Sequence, residues 1–198
     1  MGREKTYKQY SCYLDSWAKR CLDIITCGLL IGPSLIIMGL ASLYILIQEG
    51  RPVFFAHYRV GKNGTLFLMP KLRTFYADAD PYKPPTDSDK DQWITVTGRP
   101  LRKYRIDELP QLFLVLKGCM SMVGPRPELA NVVNKYRRLE RKRLLVKPGI
   151  TGLWQIMRGR NNKAEHDVKY DLYYLRRASL WLDIQILFMT IPFILNPR

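Results

Sequence analysis

Leu101-Arg102-Lys103-Tyr104-Arg105-Ile106-Asp107-Glu108-Leu109-Pro110-Gln111-Leu112 carries the densest chemistry in this sequence. Leu109, Leu112, Phe113 and Leu116 fall at i, i+3, i+4 and i+7, the spacing of a buried helical stripe, and Gly118 offers a stop. A short helix is expected here. Asp107 is its expected N-cap, and Pro110 lies in the first turn, where a missing N–H costs little. Two adjacent carboxylates then sit at the positive end of a helix, just after Arg102, Lys103 and Arg105. Such a field keeps Asp107 ionised and attracts phosphate. An anionic nucleophile that must attack an anionic phosphoryl group needs a site of this kind. The bland alternative is a capping Asp among solvated charges, and an isolated Asp-Glu pair favours it.

Composition narrows the surroundings. The chain has 198 residues, 47% of them hydrophobic, and a formal net charge of +15. That length supports one core of ordinary size, and that charge implies polyanionic company: nucleic acid, an anionic membrane face or phosphorylated substrates. Cys12, Cys21, Cys27 and Cys119 show no C-x-x-C spacing and read as reduced thiols on the cytosolic side. His57 and His166 are too few and too far apart for a zinc site.

Upstream, residues 1–20 are polar, aromatic and basic, and residues 21–47 form an apolar run in which Asp23 is the one charge. The run is long enough to cross a bilayer, too long for the apolar region of a signal peptide, and has no clear A-x-A cleavage site. Pro33, beside Gly32, removes a backbone hydrogen bond near its middle and predicts a kink. Cations flank both ends: Arg3, Lys5, Lys8, Lys19 and Arg20 before, Arg51, Arg59 and Lys62 after. A single spanning helix would carry one cluster across the membrane, against the positive-inside tendency. A helix that breaks at Gly32-Pro33 and leaves by the face it entered satisfies both features, and this re-entrant form is preferred over the span. Asp23 reads as an interfacial salt bridge to Lys19 or Arg20.

Downstream of Gly50, residues 53–60 and 65–69 read as a β-hairpin with Asn63-Gly64 in its turn. Neither a Walker nor a dinucleotide glycine pattern occurs. Lys71-Leu72-Arg73-Thr74 follows, either an exposed basic strand end or a set of phosphate ligands. Residues 77–92 are proline-rich and acidic and read as a loop; Asp87, Asp89 and Asp91 open like a calcium loop, but Gln92 and Gly98 stand where Gly and Glu are required.

Beyond the central stretch, prolines on both sides of Arg126 present its guanidinium from a stiff turn suited to bidentate phosphate binding. Residues 127–146 read as a helix, either lying on anionic lipid or soluble with a charged outer face. Residues 147–152 and 157–162 read as loops. Residues 170–195 read as interfacial or core helices, with Trp181 near the headgroups.

Together Lys19-Arg20-x-x-Asp23, Arg59-Val60-Gly61, Lys71-Leu72-Arg73-Thr74, Ile106-Asp107-Glu108-Leu109-Pro110-Gln111-Leu112, Met120-Ser121-Met122-Val123-Gly124-Pro125-Arg126-Pro127-Glu128 and Lys147-Pro148-Gly149-Ile150-Thr151-Gly152 resemble the bacterial sugar transferases, the monotopic phosphoglycosyl transferases. The resemblance runs in one order from about residue 17 to 192, and the length is similar to that of the small members with a catalytic domain alone. Gly32-Pro33 departs from the usual Ser-Pro, and Cys119, Leu114 and Trp93 stand where Asp, Asn and Arg are common.

The resemblance implies an α+β, mainly helical fold. It has a membrane arm over residues 1–50 and, over residues 51–198, a cytosolic catalytic domain with a small hairpin and amphipathic interfacial helices. The implied enzyme moves a sugar-1-phosphate from a UDP-sugar to polyprenyl (undecaprenyl) phosphate and releases UMP. This would be the first membrane step of making a capsule, O-antigen, exopolysaccharide or glycoprotein glycan. Asp107 matches the nucleophile, which holds the phospho-sugar as an acyl phosphate. Glu108 matches its partner in a Mg2+ site or in proton handling, and Arg126, with Arg102, Lys71 and Arg73, the phosphate-binding cations. The implied location is the cytosolic face of the bacterial inner membrane, on anionic lipid, with room for a homo-oligomer. The alternative from another class is a non-catalytic basic module on the membrane surface. No nucleic-acid partner is expected, since neither a recognition helix nor a base-stacking motif is present.

Overall fold

A computed structural model describes residues 12–77, 79, 90–161 and 168–195, and these are mainly helical with two small two-stranded sheets. Arg3, Lys5 and Lys8 and the acidic stretch around Asp87 and Asp89 lie outside the described residues. The first element, α1 (Trp17–Glu49), is 33 residues long. Ser16 caps it by accepting a bond from the Lys19 amide (3.2 Å), and Gly50 ends it at φ 68°. Pro33 lies inside α1 and does not interrupt the helical backbone, so the expected break is absent as a gap in the helix. The physical reason is modest: a proline removes one N–H bond, which bends a helix without having to end it. The helix is long and apolar enough to cross a membrane, and only 22% of its apolar window is buried.

The expected hairpin forms. β1 (Phe54–Val60) and β2 (Leu66–Leu72) pair antiparallel, with Phe54 opposite Leu72 and Val60 opposite Leu66. Asn63 (φ 56°) and Gly64 (φ 81°) supply the left-handed turn residues. Alternation gathers Phe55, His57, Arg59, Met69 and Lys71 on one face and leaves Phe54, Tyr58, Leu66 and Leu68 exposed on the other. After α2 (Lys90–Trp93) and α3 (Gly98–Lys103), the central stretch splits into a 3-10 segment, Ile106–Gln111, and α4 (Leu112–Lys117). Gly118 at φ 81° closes α4 as expected.

Two details of that stretch depart from expectation. The chain enters through Arg105 in the left-handed region (φ 57°, ψ 24°), so Asp107 lies inside the first 3-10 turn rather than at an N-cap. A 3-10 turn also holds three residues rather than 3.6, which rotates the buried stripe. Gln111, Leu112 and Val115 point inward, while Phe113 and Leu116 are 40% and 38% exposed.

β3 (Ser121–Val123), α5 (Ala130–Val133) and a 3-10 segment, Glu140–Leu145, come next, followed by β4 (Gly149–Thr151) parallel to β3. A Cβ on Gly149 would collide with the Gly124 backbone, so this crossing requires glycine. The continuous helix expected over residues 127–146 is absent because Arg143 turns inward. Its guanidinium pairs with Asp171 (2.8 Å) and donates to the Arg126 carbonyl (3.1 Å) and the Tyr136 hydroxyl (2.7 Å). Helix α6 (Leu153–Asn161) occupies the region read as a loop from residue 157, and α7 (Val168–Arg177) and α8 (Leu180–Leu195) complete the fold.

The main core joins Cys27 of α1 to Met69, Leu112, Val115, Met120, Val123, Tyr174 and Ile186. A second cluster joins Ala41 and Ile45 of α1 to Leu72 and Leu101. Both ends of α1 therefore rest on the same folded body. Leu29, Ile36 and Leu40, between them, are 75%, 68% and 66% exposed. Asp23 pairs with Lys19 as expected, but inside the protein rather than at an interface. It is buried, 3.6 Å from Lys19, and accepts bonds from the Ser121 hydroxyl and the Met122 amide, both 2.9 Å. Lys19 reaches on to Asp183 (2.6 Å) and the Val123 carbonyl (2.9 Å). Arg20 turns to the end of α4, donating to the carbonyls of Val115 (2.6 Å) and Leu116 (2.7 Å).

Candidate active site

The 3-10 turn sets two carboxylates against β2. Lys71 Nζ lies 2.7 Å from Glu108 Oε1 and 3.9 Å from Asp107 Oδ2, and Arg105 Nη1 lies 3.4 Å from Glu108 Oε2. The left-handed backbone of Arg105 is unusual for a non-glycine residue and costs about 1 kcal/mol. In return it folds Arg105 back over Glu108 while the chain turns Asp107 inward, where it is 7% exposed.

Burial divides the two carboxyls. Desolvation pushes Asp107 up to about 6, with the Glu108 charge adding to it and Lys71, Arg102 and Arg105 opposing. Desolvation acts on Glu108 too, but Lys71, Arg126 and Arg105 outweigh it and hold that carboxyl down at about 2. Pairs of acids driven apart in this way take different roles: Glu108 stays a fixed anion locked to cations, and Asp107 keeps a less solvated, more reactive oxygen.

The other expected residues separate into two groups. Arg102 is exposed, stacks over the Phe75 ring at 4.5 Å and acts on Asp107 through its charge. Arg126, delivered by the turn after β3, lines a small, partly open cavity with Glu108, its guanidinium 6.0 Å from the Trp154 ring centre. The structure thus brings Asp107, Glu108, Lys71, Arg102 and Arg126 together. Arg73 stands apart, buried, with Nη2 donating to the carbonyls of Glu49 (2.8 Å) and Gly50 (3.0 Å) at the end of α1. Gly32 and Pro33 are exposed in the middle of α1.

Several residues at the site carried no role in the sequence reading. Arg59 lines the cavity and donates through Nε to His57 Nε2 (2.6 Å). Burial first, then Arg59, Lys71 and Arg126, lower His57 to about 3, so it is a neutral imidazole with its proton on Nδ1. The strand alternation of 57, 59, 67, 69 and 71 was a usable signal for these two. Gln111 and Gln155 also line the cavity, and each has a buried amide atom, Nε2 and Oε1 respectively, without a hydrogen-bond partner. Leaving such an atom unmatched costs about 1–3 kcal/mol. Gln155 lies on α6, where no pattern marked it. Among the described residues, no group of three or more His, Cys, Asp and Glu side chains converges as a ready-made metal cage.

This constellation of a desolvated carboxylate, a second carboxylate tied to cations and a stiffly presented arginine suits nucleophilic attack on a phosphoryl group. Comparison with known proteins agrees in kind. The family model described as bacterial sugar transferase matches residues 14–197. The chain is 41% identical over 194 residues to the galactosyl transferase CpsE of Streptococcus agalactiae, covering 90% of this chain and 42% of that protein. It is 36% identical over 187 residues to the UDP-N-acetylgalactosamine-undecaprenyl-phosphate N-acetylgalactosaminephosphotransferase of Aeromonas hydrophila, covering 91% of this chain and 44% of the relative. The exopolysaccharide production protein ExoY of Rhizobium meliloti is 36% identical over 199 residues, covering 90% of this chain and 86% of ExoY. The chain thus spans less than half the length of the first two relatives and most of the third.

Proposed function

This chain belongs to the bacterial sugar transferase family, and from that premise and its site we propose that it moves a sugar-1-phosphate from a UDP-sugar to a polyprenyl phosphate such as undecaprenyl phosphate. Asp107 attacks the sugar-linked phosphorus of the donor. The bond from that phosphorus to the bridging oxygen breaks, UMP leaves, and the phospho-sugar remains on Asp107 as an acyl phosphate. An oxygen of the polyprenyl phosphate then attacks the same phosphorus and frees the carboxylate, giving a polyprenyl diphosphosugar. Lys71 and Arg126 draw the phosphoryl oxygens into place, and Arg102 adds positive charge at the mouth.

Two adjacent carboxylates beside a phosphate cradle fit Mg2+, which is held by one or two carboxylates together with substrate phosphates rather than by a full protein cage. Asp107 and Glu108 are the residues that would hold it, and the chemistry it supplies when bound is neutralisation of the diphosphate.

The anchoring of α1 supports a re-entrant arrangement with residues 51–198 as the catalytic domain on the cytosolic face. Cys27 and Ile45 pack on the same body, and the exposed middle of the helix carries Pro33. Trp181, Phe188 and Leu195, all exposed on α8, suit the lipid interface. The product would enter glycoconjugate biosynthesis.

The observation that carries this reading is Asp107, buried, raised to about 6 and set against Lys71 and Glu108. Asp107→Asn in the full chain, reconstituted in lipid with a UDP-sugar, should abolish UMP release and the trapped phospho-sugar adduct, a loss of at least about 10³-fold. Turnover near the wild-type rate would leave only the non-catalytic surface module standing.

A further inference from the structure

Gln111 and Gln155 are 3% and 6% exposed and line the cavity that holds Glu108 and Arg126. The Gln155 amide is oriented by its own Nε2, which donates to the Ile150 carbonyl (3.2 Å), leaving Oε1 an acceptor with no partner. Gln111 presents the opposite function, an Nε2 donor with no partner. In a 3-10 turn residues three apart lie on one edge, so Gln111 stands beside Glu108. One buried, unmatched acceptor and one buried, unmatched donor thus belong to two side chains that line a single cavity whose remaining polar residues are charged.

Resting on the transfer reaction above, we propose that Gln111 and Gln155 form a specificity pair that reads one neutral group of the nucleotide sugar, a group that both donates and accepts a hydrogen bond. A phosphate does not qualify: its anionic oxygens have no hydrogen to give to Gln155 Oε1, and Lys71 and Arg126 serve them better. A ring hydroxyl of the sugar satisfies both amides, by giving its hydrogen to Gln155 and accepting from Gln111. The imide edge of uracil does the same with an N–H beside a carbonyl. Sites that hydrogen-bond a polar substrate group discriminate strongly against analogues that misplace it, because the protein's own buried atoms then go unmatched.

The test uses the full chain in lipid vesicles with UDP-galactose, UDP-glucose and CDP-glucose, and reads kcat/KM for nucleotide release by wild type, Gln111→Met and Gln155→Met. If the sugar is read, the ratio between the two UDP-sugar epimers shrinks by about tenfold or more in both variants, the loss falling on the preferred donor. If the base is read, the ratio of UDP-glucose to CDP-glucose shrinks instead. An equal loss on all three donors, or no change, overturns the pair. Gln155→Glu guards against simple misfolding: it keeps an acceptor in the cavity and should retain more of the discrimination than Gln155→Met, whereas equal behaviour of the two overturns the proposal. Wild type releasing no nucleotide from these donors or from a wider panel of UDP-hexoses and UDP-N-acetylhexosamines would sink the transfer reaction itself, while normal wild-type turnover with unchanged ratios sinks this inference alone.

Discussion

At the scale of single residues the proposed transfer turns on the proton of Asp107. Its folded value of about 6 lies above the ordinary 3.8, with burial the first cause. Attack requires the ionised form, so the rate of adduct formation should rise with pH through an inflection near 6 and level off above it; single-turnover quench measurements between pH 5 and 8 check this. Mg2+ held at the carboxylate would move that inflection lower, and a rate that falls as pH rises would remove Asp107 from the attacking role. The stability sign runs the other way. Because the folded state binds this proton more tightly than the unfolded chain, the contribution of Asp107 to stability falls as pH rises from about 4 to about 6. At pH 7.5 Asp107→Asn should therefore be dead yet more stable than wild type, by something on the order of 2 kcal/mol, measured by denaturant unfolding of the two proteins side by side. The identity of this carboxylate and its cations was legible in sequence, since charges cluster locally around residues 102–108. Its protonation was not, because a local reading supplies the field of Arg102, Lys103 and Arg105 but not the desolvation, which comes from β2 packing across the turn.

At the scale of elements the sequence spoke clearly wherever a short-range rule decides the backbone. Asn63-Gly64 made the hairpin turn and Gly118 the helix stop because only certain residues tolerate positive φ. It misled wherever a distant partner decides. Residues 127–146 have helical periodicity, but the ion pair of Arg143 with Asp171 pulls the chain out of a helical path. Arg73 looked like Lys71, two residues on from it in a basic strand end, yet it stitches the end of β2 to the last carbonyls of α1. Replacing Arg73 by Met should thus act on stability rather than chemistry. Two charge-assisted bonds to carbonyls are lost, for a destabilisation of about 2–4 kcal/mol, while UMP release per folded molecule stays within about threefold of wild type. Arg126→Met should do the reverse, keeping the melting midpoint and losing turnover. Thermal unfolding and active-site titration on the same samples separate the two outcomes, and a selective loss of turnover in the Arg73 variant would return that residue to the phosphate site.

At the scale of the whole molecule the question is why a helix long enough to cross a bilayer is fastened at both ends to one body. The N-terminal fastening is a buried charge network: Lys19 between Asp23 and Asp183, with the Tyr174 hydroxyl donating to Asp183 (2.7 Å) and lying 3.2 Å from the Val123 carbonyl. Breaking buried ion pairs leaves uncompensated charge at a cost of about 3–5 kcal/mol, so this end does not detach during turnover. The C-terminal fastening is Arg73 on Glu49 and Gly50, with Thr97 donating to Glu49 (3.2 Å). The i, i+4 pairing of Lys19 with Asp23 could be read from sequence; Asp183, 164 residues away, could not, and it is what turns a surface pair into a clamp. With both ends held to the catalytic body, a crossing helix would drag that body through the membrane, whereas a bent one leaves it on a single side. Cys12, exposed just before α1, and a cysteine at Arg51, just after it, report the two ends. In a background with Cys119→Ser, both thiols should react with an impermeant maleimide in inside-out vesicles and neither in right-side-out spheroplasts. Labelling of the two from opposite sides would mean that α1 spans, and that the clamp seen at one of its ends opens on insertion.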